Sequence, residues 1–160
     1  MLNINIICIG KLKEDYLRSA SAEYSKRLQA FCKLNIIELN PCRLPEEPNQ
    51  SQIEAALDEE AERILAKTGK SDYIIALCIE GKEISSEQLS SKMNEIALSG
   101  SGTVSFIIGG SHGLSPAVKQ AAKLRLSMSP MTFPHQLARV MLLEQIYRSF
   151  MISSGGKYHK

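Results

Sequence analysis

Short apolar runs that alternate with amphipathic helical segments are the feature that most restricts the fold of this 160-residue chain. The first run, from Asn3 to Ile9, is rich in β-branched residues and ends at Gly10, which is typical of a buried strand. The next segment, from Asp15 to Phe31, places its apolar residues three and four positions apart, which predicts a helix. Because strands that alternate with helices form mainly parallel sheets, we predict an α/β fold. Its functional site should lie beyond the carboxyl ends of the strands.

The other predicted elements keep this alternation. An acidic helix is expected to begin at Ser51, because Ser51 and Glu54 have the spacing of a capping box, and to end before Gly69. Glu80 and Gly81 are expected to close the third strand. The predicted strands span residues 33–39, 73–79, 103–108 and 124–128, and the predicted helices span 51–67, 86–98, a short segment opened by Ser115-Pro116, and 135–152.

The last predicted helix is apolar on nearly all sides. Its apolar residues cover far more than one stripe, so several sides must be buried. In a domain of this size a homodimer interface is the simplest way to bury them, and the alternative is a central core helix in a monomer. The apolar positions are Leu137, Val140, Met141, Leu142, Leu143, Ile146, Tyr147, Phe150 and Met151.

The length and the cysteine pattern favour one ordinary globular domain. A chain of 160 residues can bury a core without a metal ion or disulfides. The four cysteines form no C-x-x-C pair, and reduced, buried thiols in a cytoplasmic protein explain them better than a disulfide framework. The first ten residues have no basic leader and only a short apolar run, which argues against a signal peptide or a membrane span.

The charge is distributed unevenly along the chain. Residues 1–80 contain 10 Lys or Arg and 13 Asp or Glu, whereas residues 81–160 contain 9 and 4. This split suggests a polyanionic partner for a basic C-terminal face, with an accidental split as an equal alternative. Because the net charge is only +2, a nucleic-acid binder of this kind needs a dimer or a bound cofactor besides Coulomb attraction.

The glycine-rich segment 109–113 follows a predicted strand and precedes a helix. Its G-x-S-x-G spacing matches a nucleophile elbow at Ser111, with Glu144 and His159 in triad order. The helix starts too late and only 49 residues follow Ser111, so a serine hydrolase is disfavoured. A dinucleotide loop is disfavoured as well, because no acid occurs in the 32 residues after Ser111 to bind a ribose. Close approach of the loop backbone to a ligand and a simple tight turn are the two remaining interpretations.

The histidines point to acid–base chemistry rather than to metal binding. His112, His135 and His159 lie 23 and 24 residues apart with no cysteine pair nearby, so no metal-ligand spacing is present. His135 begins the last predicted helix, and Arg139 follows one turn later on the same face. A neutral imidazole beside a guanidinium can move a proton and hold an anion. The sequence therefore predicts His135 and Arg139 as candidate catalytic residues.

Several longer segments occur together in this chain: IGKLKEDY, IALCIEGKEISSEQL, IGGSHGL, MTFPHQLARV with LLEQIYR, and the terminal GGKYHK. In this combination they resemble the ribosomal RNA large subunit methyltransferase H family of the SPOUT superfamily. The resemblance covers essentially the whole chain, and MTFPHQLARV and YHK are its most specific parts. It implies a single SPOUT methyltransferase domain over residues 1–160, in which the C-terminal part threads through a loop to form a trefoil knot.

The same resemblance implies a cytoplasmic homodimer that needs no metal ion. It implies transfer of a methyl group from S-adenosylmethionine to ring nitrogen 3 of a pseudouridine in helix 69 of 23S ribosomal RNA. A non-catalytic, ribosome-associated RNA-binding factor with the same fold is the alternative from a different class. By matching position, the resemblance implies cofactor contacts at Leu77, Gly109, Gly110, Met128, Ser129, Pro130, Met131, Thr132 and Phe133.

The resemblance also gives weight to the terminal eight residues, SSGGKYHK. Tyr158 and His159 become catalytic candidates beside His135, with His159 able to take or move a proton. Residues 153–156 are expected to form a flexible hinge, because serine and glycine resist fixed structure. We therefore expect the tail to become ordered only when RNA is present.

Overall fold

Strands and helices alternate along the whole chain. In the computed structural model, which describes residues 1–160, the elements are β1 (Leu2–Ile9), α1 (Asp15–Leu28), β2 (Cys32–Leu39), α2 (Gln50–Leu65), β3 (Tyr73–Glu83), α3 (Ser86–Leu98), β4 (Thr103–Ile108), α4 (Pro116–Ala121), β5 (Leu124–Ser127) and α5 (His135–Ser153). The five strands form one sheet in the order β2-β1-β4-β3-β5, and every neighbouring pair is parallel. This confirms the predicted α/β fold with a parallel sheet flanked by helices.

The core lies on both faces of the sheet. Along β1, Ile4 and Ile6 pack with residues of α1, α3 and α5, whereas Ile7 and Ile9 pack with residues of α2 and α4. This division follows from strand geometry, because successive side chains point to opposite faces. Strands buried on both faces have continuous rather than alternating apolar sequences, which is the pattern that the first run shows.

The last helix, α5, occupies the middle of one helical layer, between α1 and α3. Leu142, Leu143 and Ile146 are fully buried there, whereas Leu137 remains 39% exposed. The central position therefore accounts for most of the apolar surface of α5 within one chain. Leu137 marks the part that this chain leaves uncovered.

Two helix ends differ from the prediction because local hydrogen bonds decide them. α2 is capped by Asn49 rather than Ser51: the Asn49 side chain accepts from the Gln52 backbone N–H at 2.8 Å, and the Gln52 side chain accepts from the Asn49 N–H at 2.9 Å. This is a capping box two residues earlier than the predicted one. α1 ends at Leu28, three residues before Phe31.

The third strand continues past its predicted end at Glu80 and Gly81. Its pairing with β5 shifts register between Leu77 and Lys82, so the intervening residues bulge out of the ladder. A Cβ at Gly81 would lie 2.7 Å from the Arg125 carbonyl oxygen, so only glycine lets the two backbones approach this closely. The glycine thus continues the strand instead of ending it.

Candidate active site

The largest cavity lies at the carboxyl ends of β3, β4 and β5, where the sequence places the site. It has a volume of about 810 Å³ and is formed by three loops: the bulge of β3, the glycine-rich turn after β4 and the segment before α5. Among the predicted cofactor contacts, the structure brings Leu77, Gly109, Gly110, Met128, Ser129, Met131, Thr132 and Phe133 to its wall, while Pro130 is not part of the lining.

The glycine-rich turn is tight because two glycines face each other across it. The Gly113 N–H donates to the Gly110 carbonyl at 3.1 Å, and a Cβ at Gly109 would lie 2.4 Å from the Gly113 oxygen. Gly113 has a φ of +81°, a conformation that side chains with a Cβ rarely adopt. Ser111 lies exposed between these glycines.

The serine hydrolase interpretation gains no support from this geometry. Glu144 and His159, which follow Ser111 in triad order, are engaged elsewhere. Glu144 accepts hydrogen bonds from Arg148 and Tyr158, and His159 contacts Arg148 and Glu87. Neither group is therefore free to activate the serine.

The segment before α5 is shaped by its own side chains. The Ser127 hydroxyl donates to the Ser129 carbonyl at 3.1 Å, and the Met131 N–H donates to the Ser129 hydroxyl at 3.0 Å. These local bonds turn the chain so that Met131, which is 72% exposed, stands at the mouth of the cavity. The segment leads directly into His135, the first residue of α5.

A charged pair also lines the cavity. Lys119 of α4 hydrogen-bonds to Glu80 in the bulge of β3, and both residues line the cavity. This hydrogen bond lowers the pKa of Glu80 below its ordinary value. The carboxylate is therefore ionised at neutral pH.

His135 lines the cavity at the start of α5. Its Nε2 atom lies beside Gly10, where an added Cβ would be 3.4 Å away. Burial lowers the pKa of His135, and the positive charges of Arg139 and Lys13 lower it further. The ring is therefore neutral at pH 7 and can accept a proton.

Arg139 is directed away from the cavity. Its side chain is 3% exposed, and its guanidinium donates to Glu38 at 2.8 Å and to the Gly10 carbonyl at 3.0 Å. These bonds tie the first turn of α5 to the ends of β1 and β2. Of the predicted His135–Arg139 pair, only His135 faces the cavity, and Arg139 fixes the element that carries it.

The C-terminal tail is packed against α5 rather than forming a hinge. The Gly155 N–H donates to the Ile152 carbonyl at 3.1 Å, and the Gly156 N–H donates to the Met151 carbonyl at 2.8 Å. With Gly155 at a φ of +70°, this is a Schellman cap that ends the helix in a defined direction. Residues 153–156 therefore form an ordered helix cap and not the flexible hinge that the sequence predicts.

The two tail residues are held by side chains of α5 and α3. The Tyr158 hydroxyl donates to Glu144 Oε1 at 3.1 Å, and its ring packs edge-on against Tyr147 with centroids 4.9 Å apart. His159 contacts Arg148 through Nδ1 at 3.2 Å and Glu87 through Nε2 at 2.8 Å. Burial and the bond to Glu144 raise the pKa of Tyr158 to about 12.

His135 and the tail residues occupy different parts of α5. Tyr158 and His159 contact residues 144–148, whereas His135 begins the helix. At a rise of about 1.5 Å per residue, this places the tail contacts roughly 14–20 Å along the helix from His135. One chain therefore does not bring its own predicted catalytic residues together.

The sequence motifs place Glu144 only in a candidate triad and do not predict that Glu144 and Arg148 hold the tail. A signal was present, because Glu144 is the only acid after residue 95 and Arg148 follows it by one helical turn. The motifs also miss Glu38, which pairs with Arg139 from a strand 101 positions away. No spacing rule connects two residues that far apart.

Two further observations concern metals and membranes. No group of three or more His, Cys, Asp or Glu residues is arranged to hold a metal ion. None of the helices combines the length and the apolar content that crossing a bilayer requires.

Comparison with known proteins gives matches over nearly the whole chain. A family model described as a predicted SPOUT methyltransferase matches residues 2–159. The ribosomal RNA large subunit methyltransferase H of Leuconostoc mesenteroides is 50% identical over 159 residues, which are 99% of this chain and 100% of the relative. The protein of the same name from Streptococcus thermophilus (strain ATCC BAA-491 / LMD-9) is also 50% identical with the same coverage. A putative ribosomal RNA large subunit methyltransferase H from Methanococcus maripaludis matches to the same extent.

Proposed function

We propose that this chain, which belongs to the SPOUT methyltransferase family, transfers a methyl group from S-adenosylmethionine to ring nitrogen 3 of a pseudouridine in helix 69 of 23S ribosomal RNA. Its full-length relatives are named ribosomal RNA large subunit methyltransferase H, and the chain is an rRNA methyltransferase. The observation that carries the proposal is the 50% identity over 99% of the chain, because it extends across the three cavity loops and the tail.

The residues around the cavity suit S-adenosylmethionine, which supplies a methyl group already activated by a positively charged sulfur. A volume of about 810 Å³ lies in the range of sites for ligands of this size. Leu77 and Leu126 offer an apolar floor for the adenine ring. Gly109 and Gly110 have no Cβ to keep their backbone away from the ligand. The segment 128–133, which includes Pro130, would hold the cofactor from the other side.

His135 is the residue that we propose to take the proton from ring nitrogen 3. This nitrogen exchanges a hydrogen for a methyl group, so one proton must be accepted for each methyl group transferred. The imidazole lines the cavity, and its lowered pKa keeps it in the accepting form. Arg139 acts through His135, because it lowers this pKa and anchors the first turn of α5.

Tyr158 and His159 remain catalytic candidates, acting on the cavity of a second chain. Their docking site on α5 lies roughly 14–20 Å along the helix from His135, which is too far for both to act on one pseudouridine. We therefore propose a homodimer in which the tail of each protomer completes the site of its partner. The exposed apolar side chains of Met131 and Leu137, near the cavity and at the start of α5, support an interface there.

The trefoil knot is part of the proposal for residues 1–160 as one SPOUT domain. The course of the chain supports it: after β5, at one edge of the sheet, the chain reaches His135, which lies beside Gly10 at the end of β1. To do so it passes the carboxyl ends of β3 and β4. We place the enzyme in the cytoplasm, where its ribosomal substrate is.

A ribosome methylation assay tests the proposed function. Ribosomes from a strain without this methyltransferase are incubated with the protein and S-adenosylmethionine, and the helix 69 fragment is analysed by mass spectrometry. We expect one added methyl group on the pseudouridine base, and none when S-adenosylmethionine is omitted. Ribosome binding without methylation would instead support the non-catalytic factor. Esterase activity that Ser111→Ala removes would support the hydrolase.

A further inference from the structure

We propose that Glu144 is a positioning residue that holds the tail, residues 157–160, on α5 in the orientation used for methyl transfer. The inference rests on the proposed function, in which the tail of each protomer completes the active site of its partner. In this proposal the Glu144 carboxylate orders the tail, and RNA binding is not needed for that order. The tail is then in place before the substrate arrives.

Glu144 has the contacts that such a role requires. Its side chain is 17% exposed, and its Oε1 atom accepts from the Tyr158 hydroxyl at 3.1 Å and from Arg148 Nη2 at 2.6 Å. Its Oε2 atom accepts from the Gln145 amide at 2.8 Å. The carboxylate therefore joins the tail to two side chains of its own helix. Arg148 neutralises its charge, which makes partial burial of the group tolerable.

The Tyr158 ring is held on two sides. Its edge-on contact with Tyr147 has centroids 4.9 Å apart, and the Arg148 guanidinium carbon lies 4.8 Å from the ring centroid. Both geometries are favourable for an aromatic ring. Because Glu144 orients Arg148, loss of the carboxylate removes the hydroxyl contact and loosens the cation above the ring at the same time.

The same contacts give Tyr158 and His159 different roles. With its pKa raised to about 12, the Tyr158 phenol stays protonated at neutral pH and donates its hydrogen to Glu144. Tyr158 therefore serves as an anchor and not as a base. His159, held by Arg148 and Glu87 beside this anchor, is then the catalytic candidate of the tail.

A chain end frays unless specific contacts hold it. Backbone hydrogen bonds hold the chain only as far as Gly156, the residue before the tail, where the helix cap ends. Beyond that point no strand or helix supports residues 157–160. Order at Tyr158 and His159 therefore depends on the side-chain contacts in which Glu144 is central.

Limited proteolysis without RNA measures this order directly. Trypsin cleaves after Lys157, which is exposed, but docking of the following Tyr158 should protect that bond. We expect Glu144→Ala to speed release of the terminal tripeptide by about tenfold or more, the change made by losing a hydrogen bond to a charged group. Glu144→Gln keeps an acceptor oxygen and should stay within about threefold of the unmodified protein. Glu95→Ala removes an exposed carboxylate that pairs with Lys92 in α3, and the rate of release should not change.

Methyl transfer to ribosomes then shows whether the ordered tail matters for the reaction. We expect Glu144→Ala to lower kcat by about tenfold or more with unchanged affinity for S-adenosylmethionine, and Glu144→Gln to restore most of the rate. A chain that lacks residues 157–160 should keep a small residual rate, and Glu144→Ala should have no further effect on that rate, because there is no tail left to position.

Each outcome bears on the proposal separately from the proposed function. Unchanged tryptic release in both Glu144→Ala and Tyr158→Phe would overturn the docking role, whatever the activity. Faster release with an unchanged kcat would overturn the link to methyl transfer. A further loss of kcat in the truncated chain would show that Glu144 acts elsewhere. If the unmodified protein does not methylate ribosomes, the proposed function fails, and the proteolysis result still decides the docking role.

Discussion

The charge on a single imidazole decides whether the proposed base is available. Burial lowers the pKa of His135, and the nearby Arg139 and Lys13 lower it further. The neutral, proton-accepting form is therefore present at every pH above a value that lies below the ordinary 6.5. Acidification through that pKa protonates the ring and removes the acceptor.

The pH dependence of the rate should report this group. We expect kcat to rise with pH through a midpoint below 6.5 and then to stay level to neutral pH. His135→Gln should abolish this acid limb and lower kcat by about 100- to 10,000-fold, the usual contribution of a general base. Proton NMR of the ring measures the pKa independently. A midpoint at or above 6.5, or an undiminished rate in the variant, would contradict the assignment of His135 as the base.

Arg139 should contribute to stability more than an ordinary surface charge. Arg139→Met removes the donors to Glu38 and to the Gly10 carbonyl, while the half-buried Glu38 can partly regain water. We expect the free energy of unfolding in urea to fall by about 2–3 kcal/mol. Glu23→Ala, which breaks an exposed pair with Arg27 in α1, should cost about 0.5 kcal/mol or less. Equal losses of unfolding free energy in the two variants would show that burial does not increase the contribution of Arg139 to stability.

These residues show how far local spacing predicts the site. The one-turn spacing of His135 and Arg139 places them together at the start of a helix, and the structure agrees. Spacing does not reveal that Arg139 is held by Glu38 from β2, because that contact depends on which strands become neighbours. The sequence therefore predicts the element that carries each of these residues more reliably than the direction in which its side chain points.

Among the elements, the end of β3 is where a sequence rule gives the wrong result. Glycine after an apolar run predicts a strand end, yet Gly81 lies inside β3 because the β5 backbone passes against it. The reason is tertiary, since the approaching carbonyl belongs to Arg125, 44 positions later. In contrast, both predicted ends of α3 are confirmed, because a capping box at Ser85 and Gln88 defines its start locally.

A substitution at Gly81 tests whether the close approach of β3 and β5 shapes the cavity. In Gly81→Ala the new Cβ would lie 2.7 Å from the Arg125 oxygen and 2.9 Å from the Leu126 carbonyl carbon, so β5 must move. Because Leu126 lines the cavity, we expect the affinity for S-adenosylmethionine in calorimetry to fall about tenfold, and stability by about 1–3 kcal/mol.

Gly102→Ala is the matched control for this substitution. Nothing lies within 4 Å of a Cβ at Gly102, just before β4, so both quantities should stay near those of the unmodified protein. Cofactor binding that is equally strong in the two alanine variants would show that the position of β5 does not shape the site.

For the whole molecule, the pattern of elements predicts the layers but not the order of the strands within the sheet. Alternating strands and helices suffice for a parallel sheet with helices on both faces. They do not place β1 and β4 at the centre or β5 beside β3, because each parallel connection can cross to either side. The ordered tail depends on the fold in the same way: Tyr158 and His159 are held by Glu144 and Glu87, residues of two helices that the fold brings together, and the sequence gives a local signal only for Glu144.

The separation of His135 from the tail leads to a prediction about the assembled dimer. If each site combines His135 of one protomer with the tail of its partner, two chains with different defects can restore one another. His135→Gln supplies intact tails, and a chain without residues 157–160 supplies intact histidines. After the two homodimers are mixed in equal amounts and allowed to exchange subunits, about half of the dimers are mixed, and each contains one complete site. We expect methyl transfer to recover to about a quarter of the unmodified rate, while each variant alone keeps only a small residual rate. Sedimentation at micromolar concentration should show twice the chain mass for all samples. Recovery would be absent if each chain used its own tail, and a monomer in sedimentation would exclude a shared site altogether.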